Sequence, residues 1–301
     1  MVTDELKEAL YRLRAQWPDH WTGLPLVLAQ CLARLNHPTR SEPSRRYVQL
    51  LGAAEELARQ VEAAHAAMAT HAHEASYHNR LHFADTLWCM TALLLAARHT
   101  NLAGKPTRLE DGQVLDLGFS DANHLNDNSL RDEQELLLML VMVTHDFGHD
   151  GRVNQFPMEM EKLSANRAEV VLQSLGLPEI DIDTVRRLVE RTDPLRVTEN
   201  HSLASQRVFD LSDLAWLQVL ANEADIFASA LPEFGESLGH ALSREWIKEH
   251  AAMAESVISP KGRLFFLEKI AIFSTPASHY LGLQESRRAQ IEVLKNALPT
   301  Q

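Results

Sequence analysis

The sequence predicts an all-α protein built as a single multi-helix bundle. Three observations carry this. Its long segments are dominated by Ala, Leu, Glu, Gln and Arg, the residues that lose least on entering a helix. Alternating β-branched runs, the mark of half-buried strands, are missing. Prolines recur at the borders of amphipathic stretches, where a helix tolerates them. A chain of 301 residues, 45% hydrophobic and 23% charged, buries a core without disulfide or metal staples and is not globally disordered.

Taken in order, Thr3 and Asp4 can cap a first helix running to about Trp17. Leu24 to Leu35 forms a second, ended by Asn36-His37-Pro38, and residues 38–44 (PTRSEPS) form a loop. A long amphipathic helix runs from Arg45 to Ala69, a short His-rich stretch follows, and another helix spans about Asn79 to Thr100. Residues 101–131 hold Gly104, Pro106, Gly112 and Gly118 among many Asp and Asn, without periodicity. They predict a long surface loop of the kind that serves as a lid or an insert. Helical pattern resumes over 132–147 and fits 157–175, 182–192, 211–230, 234–257, 261–274 and 276–297. With no repeat, low-complexity tract or obvious linker, the chain reads as an N-terminal helical portion, 1–70, packed on a domain over 71–301.

Twenty-nine Lys+Arg against 41 Asp+Glu give a net charge of −12. That argues against a nucleic-acid or membrane-surface binder, which needs a basic face. An acidic protein still takes an anionic substrate where metal ions reverse the sign locally. The longest plain apolar run, Leu136 to Val143, is far shorter than the ~20 residues a bilayer span requires. Cys31 and Cys89 are too few for a disulfide framework, and MVTDELKEAL has no signal-peptide core, so a reducing cytoplasm is expected. An oligomer is compatible with the sequence but not set by it.

Fifteen His is the unusual count. In HDFGHDGRVNQF, 145–156, His145 and Asp146 follow an apolar helix and His149 lies four residues on. A buried helix ending in His-Asp presents an imidazole and a carboxylate to metal, and Asp146 has two oxygens with which to bridge two ions. The bland alternative is a His and Asp that cap and solvate a helix end. In YHNRLHFAD, 77–85, the spacing predicts His78, His82 and Asp85 on one helix face; alone, such a pair is more often a surface feature. Asp225, near Glu223, sits in the otherwise apolar stretch VLANEADIF, where an acid is expensive to bury unless paired or ligating. It escapes that cost only if it faces solvent.

These segments together resemble the class I 3′,5′-cyclic nucleotide phosphodiesterases, within the HD-domain metal phosphohydrolases, in the form of a bacterial-type catalytic domain. HDFGHDGRVNQF fits that family's His-Asp, apolar, any, His, any, Gly or Ala, two free positions, Asn or Gln, free, apolar pattern. The family's Tyr-His-Asn-x-x-His, with Asp three residues on, stands as Tyr77 to His82 and Asp85; its Thr-Asp stands as Thr192-Asp193 and its Ala-Asp as Ala224-Asp225. The likeness covers about residues 70–275 in the expected order. The two N-terminal motifs are specific; the Thr-Asp and Ala-Asp pairs alone are weak.

The resemblance implies the HD-type helical fold and two divalent metal ions. His82, His145, Asp146 and Asp225 would hold a tight ion, Zn²⁺, with Asp146 bridging to a second, Mg²⁺ or Mn²⁺. His149 would support the second ion's water shell and His78 would be the general acid. Glu169 would steer the metal–water network, a placement that needs a deletion of several residues. Asn154 and Thr192 would stand behind the ligands toward the substrate, with Tyr77 beside them. The implied partner is a small anionic substrate, a cyclic nucleotide, with neither nucleic acid nor membrane.

Three departures stand beside the matches. Asp150 replaces the family's Pro, and SANRAEVVL, 164–172, stands where the family has Leu-Glu-Asn-His-His. The Gln that reads the purine, in a Ser-Gln-x-Gly-Phe segment, meets Ser259-Pro260-Lys261-Gly262-Arg263 instead. Pro260 has no side-chain amide, which leaves Phe265 or Phe266 as the candidate base clamp, against the plainer reading of a Phe pair as core. The expectation is a hydrolase with an intact metal centre and an altered nucleotide-reading end. Its rivals are an HD-type hydrolase for another substrate and a non-catalytic helical binding protein.

Overall fold

The apolar run Leu136–Val143 lies at the middle of the molecule, each side chain at most 1% exposed. A helix apolar on every side must be covered on every side. The computed structural model describes residues 2–39, 41–103 and 128–298. In it the run belongs to α5 (Asn128–Thr144). That helix packs along α3 (Arg45–Thr70), against α4 (Arg80–Ala103) and α9 (Leu214–Ala230), and against α6 (Glu159–Ser174) and α7 (Glu179–Glu190). The short α8 (Val197–Ala204) lies on α9. On the far side of α4 lie α1 (Val2–Gln16) and α2 (Leu24–Arg34). The architecture is all-α, with no strand among the described residues.

One contiguous core runs from Leu6 on α1 to Leu283. The N-terminal helices therefore share the core of the remainder; Tyr47, Leu50, Leu57 and Val61 of α3 are all buried. Ion pairs lock the same interface. Arg14 of α1 grips buried Asp85 of α4 with two hydrogen bonds of 2.9 and 2.7 Å, and Arg46 of α3 reaches Asp181 of α7 at 2.7 Å. No described helix is long and apolar enough to cross a membrane.

Most expected helices stand within a few residues of their predicted bounds, and caps explain their starts. Ser44 accepts from the Tyr47 amide, and Asp213 from that of Ala215. The expected helix over 234–257 is two, α10 (Pro232–Trp246) and α11 (Ala251–Ile258). Ile247, Lys248 and Glu249 between them are exposed and offer no apolar stripe to bury. The expected 276–297 helix is also two, α13 (Pro276–Tyr280) and α14 (Leu283–Ala297), because Gly282 ends α13 in the left-handed region at φ 72°. The 261–274 segment is α12 (Pro260–Phe265), a π-helical turn over Phe266–Ile270 and then irregular chain. Helix α8, preceded by a 3₁₀ turn at Pro194–Arg196, was not predicted. Of the expected loop 101–131, residues 101–103 and 128–131 are helical; residues 104–127 lie outside the described part.

Candidate metal centre

Three helices converge on one point. Asn79 opens α4 by accepting from the amides of Leu81 and His82, at 3.0 and 3.2 Å, so His82 sits in the first turn with its ring buried. His145 and Asp146 follow the last residue of α5, and Asp225 projects from α9. The His82 Nε2 lies 3.2 Å from His145 Nε2, 3.1 Å from Asp225 Oδ1 and 3.3 Å from Asp146 Oδ2. His145 Nε2 lies 3.3 Å from Asp146 Oδ2 and 3.5 Å from Asp225 Oδ1. Ligand bonds of ~2.1 Å at tetrahedral angles place donors about 3.4 Å apart, so these separations suit an ion held by His82, His145 and Asp225, with Asp146 Oδ2 beside both imidazoles. The tautomer agrees. His145 Nδ1 donates to the Met142 carbonyl at 2.9 Å, which turns the Nε2 lone pair toward the cluster.

Burial disfavours charge on all four groups, yet each is driven toward its charged form by the others. His82 and His145 are raised against burial by Asp146 and Asp225. Asp146 and Asp225 are held below the ordinary carboxylate range, against burial, by the imidazoles. A set that stabilises itself only by drawing two protons between two acids is a set a dication would satisfy.

A second group is His78, Asp146 and His149, and its Asp146 also lies 3.3 Å from both imidazoles of the first. His78 precedes α4 and does not ride its face as the spacing predicts, because the helix starts at Arg80. Its ring stacks on His149, centroids 3.9 Å apart. Its Nδ1 lies 2.5 Å from Glu245 Oε1, and Glu245 Oε2 accepts from the amides of Tyr77 and His78 at 2.8 and 3.1 Å. Burial opposes the His78 imidazolium, but Glu245, Asp146 and Asp225 override it and lift His78 to about 9. His149 goes the other way, to about 3, through burial and the neighbouring His78. Its Nδ1 accepts from the Gly151 amide at 3.0 Å, so a neutral His149 carries its proton on Nε2. That tautomer donates to a water and does not ligate a metal. Gly151, at φ 87°, is needed here: a Cβ would stand 2.7 Å from Glu245 Cγ.

The other expected site residues divide. Tyr77 lies against the imidazoles, 4.8 Å from both His78 and His82, with its hydroxyl on Ser229. Asn154 spends both ends of its amide, donating to Glu161 and accepting from the Met160 amide. The Thr192 hydroxyl is buried on the Val189 carbonyl. Glu169 is not brought to the centre; it pairs with Gln173 and Arg186, because the helical register of α6 turns it outward. Glu161, two turns earlier, is the buried acid of that helix. Burial raises it to about 7, Asp193 and Asp146 adding to the push. Phe265 is 59% exposed, and Phe266 packs on the core beneath the Arg263 guanidinium. Asp85 turns from the metal cluster to Arg14.

Sequence reasoning missed Glu245 and Glu161. Neither stands in a motif; both are one acid among many until the fold brings α10 to His78 and the start of α6 to Asn154. Pro260 occupies the first turn of α12, and Arg263 is committed to the Ser229 carbonyl and Gln290 at 2.6 and 2.8 Å. Both line a cleft of about 650 Å³ among α10, α11, α12 and α14, whose walls include none of the cluster residues. A third His–carboxylate group, His37, Asp132 and Glu135, is buried between α2 and α5, but Arg98 already chelates Glu135. A scan of family models finds no match to this chain, and a search of curated proteins finds none either.

Proposed function

We propose that this chain is a metal-dependent phosphodiester hydrolase whose substrate class is the 3′,5′-cyclic nucleotides, working in the cytoplasm, where Cys31 and Cys89 stay reduced. The observation that carries the reading is the convergence of His82, His145 and Asp225 at 3.1–3.5 Å, with Asp146 3.3 Å from both imidazoles and itself part of a second group with His78 and His149. Two imidazoles and two carboxylates suit Zn²⁺; the second position, where Asp146 is the carboxylate and water would complete the shell, would take Mg²⁺ or Mn²⁺. When bound, such ions draw phosphoryl oxygens and lower the pKa of a nearby water to the neutral range.

The chain's own residues do the rest. Asp146, near both groups, would be a ligand available to either ion. His149, through Nε2–H, orients water at the second. Glu161, buried, raised toward neutrality and near enough to Asp146 to feel its charge, would serve as an acceptor for that water's proton. His78, held protonated by Glu245, donates a proton to the leaving 3′ oxygen. No nucleophilic Ser or Cys is needed; both thiols are buried away, Cys31 pushed up to about 12 by burial.

A second reading, the same hydrolytic centre acting on another substrate, is favoured by Pro260 and by Arg263's commitment to the backbone, since neither offers a base-reading amide. A metal assay followed by a panel of cyclic AMP, cyclic GMP, cyclic pyrimidine nucleotides and bis(4-nitrophenyl) phosphate tests both. Cleavage of the synthetic diester alone selects the second reading. A protein that takes up no metal and cleaves nothing removes both in favour of a binding protein.

A further inference from the structure

The Phe147–His149 turn is held from two sides by residues in neither ligand group. His65, on α3, is 0% exposed, and its Nε2 accepts from the Gly148 amide at 3.0 Å. A neutral imidazole accepting at Nε2 must carry its proton on Nδ1, and that atom has no partner among the described residues. The Phe83 ring stands edge-on to His65, 5.1 Å away. On the other side Arg167, from α6, donates to the carbonyls of Phe147 and Gly148 at 2.6 and 3.0 Å. A side chain at residue 148 would be strained at φ 71° and would displace this guanidinium, since a Cβ would stand 2.8 Å from Arg167 Nη1.

A core helix does not need a histidine at this place. A Leu would fill the volume, but it would leave the part-buried Gly148 amide without the acceptor it has in His65. Nor does Arg167 need to spend its charge on two carbonyls when acids are plentiful on α6 and α7. Both choices make sense if what matters is the path of the turn. That turn carries Asp146 into the centre and His149 out of it, the His149 amide closing it on the Asp146 carbonyl at 2.9 Å.

We infer that His65 and Arg167 are positioning residues, which fix the 147–149 turn and so set the place of Asp146 and His149 at the second metal position. The inference rests on the metal-centre reading above. It makes α3, and with it the N-terminal helices, part of the site. Outer partners of metal ligands typically govern 10–100-fold in affinity. The tight position takes His82, His145 and Asp225 from α4, the end of α5 and α9, outside the turn, and depends on it less.

The test is Mn²⁺ titration of the zinc-loaded full chain, read by electron paramagnetic resonance, with melting temperature followed in parallel. His65→Phe fills the space without an acceptor; His65→Gln can place an oxygen where Nε2 was. The expected result is retained zinc with Mn²⁺ affinity 10–100-fold weaker in His65→Phe, and substantial recovery in His65→Gln. Arg167→Met, at an exposed position, should weaken Mn²⁺ in the same direction and decides the matter should His65→Phe fail to fold. Parent-like Mn²⁺ affinity in His65→Phe or, where that variant does not fold, in Arg167→Met overturns the inference. So does equal loss in His65→Phe and His65→Gln, which reports packing alone. A parent chain that binds neither Zn²⁺ nor Mn²⁺ overturns the metal-centre reading itself, an outcome distinct from either.

Discussion

Glu245→Gln isolates the charge behind His78 while keeping the side chain's size. The carboxylate lies 2.5 Å from His78 Nδ1 and is itself 3% exposed at its side chain, so solvent screens the pair little. Burial opposes the His78 imidazolium, and Glu245 is the largest of the groups that reverse this and lift it to about 9. An opposite charge at such a distance is worth roughly 1–3 pKa units. The sign follows: a raised imidazole is protonated below its folded pKa and loses the proton as pH rises through it. The parent should therefore hold the His78 proton through neutrality and lose activity on an alkaline limb, which dications at Asp146 and Asp225 would draw below the metal-free value of about 9. In Glu245→Gln that limb should move down by roughly 1–3 units. A shift of roughly two units leaves the variant slightly impaired about one unit below its own limb and about tenfold slower about one unit above it. Two measurements check this: the pH profile of kcat/KM on a cyclic nucleotide, and the titration of the His78 ring C–H by NMR. A limb that stays in place while activity falls evenly at every pH would falsify the charge argument and leave Glu245 as a backbone clamp for Tyr77 and His78.

Four further outcomes are expected. His78→Ala should keep the tightly bound metal and lose ~10²–10⁴-fold on a cyclic nucleotide, and much less on a nitrophenyl diester, whose leaving group needs little protonation; equal losses would make His78 a ligand or a structural residue. Asp146→Ala should lose the most activity of any ligand variant, because it lies near both groups, and metal analysis of that variant should show both positions weakened. Melting temperature with and without a chelator should diverge as pH rises. In the metal-free chain burial opposes the charged imidazoles, but the raised His82 and His145 contribute stability below their unfolded value of 6.5 and lose it upward, whereas metal prefers the neutral rings; parallel curves would refute the shared site. Cyclic AMP and cyclic GMP should be cleaved within about one order of magnitude, ~1.4 kcal/mol, since Pro260 offers no amide; a thousandfold preference would show a base reader elsewhere.

The helices were legible where apolar periodicity and caps agree, as at α3 with Ser44 or α9 with Asp213. They were misread where one residue overrides a pattern. Gly282 is a single position, and its left-handed φ breaks what reads as continuous helix. Residues 247–249 have the composition of a helix surface but no apolar face, and only tertiary packing decides whether such a stretch is worth ordering. Helix α8 was missed because its eight residues carry too few turns for periodicity to register.

The centre was legible to the extent that its residues lie on short spacings. His145, Asp146 and His149 are near neighbours in the chain, and so are His78 and His82, which is why their motifs carry information. Asp225 was legible for a different reason: an acid in an apolar helix must find a partner, and it finds His82 and His145. The groups that tune the centre obey neither rule. Glu245 reaches His78 across 167 positions, and His65 reaches Gly148 across 83. Nothing local distinguishes Glu245 from the other acids or His65 from the other histidines. Glu169 shows the converse error: an acid at a plausible spacing on the right helix, turned outward to Arg186 by its place in the helical register while Glu161 faces inward. Ligand identity thus follows from residue type and spacing, whereas the setting of proton affinities follows from helix packing. The first marks the residues that could hold a metal in this chain. The second decides whether His78 holds a proton for a leaving group at neutral pH, and that is the difference between a hydrolase and a metal-binding bundle.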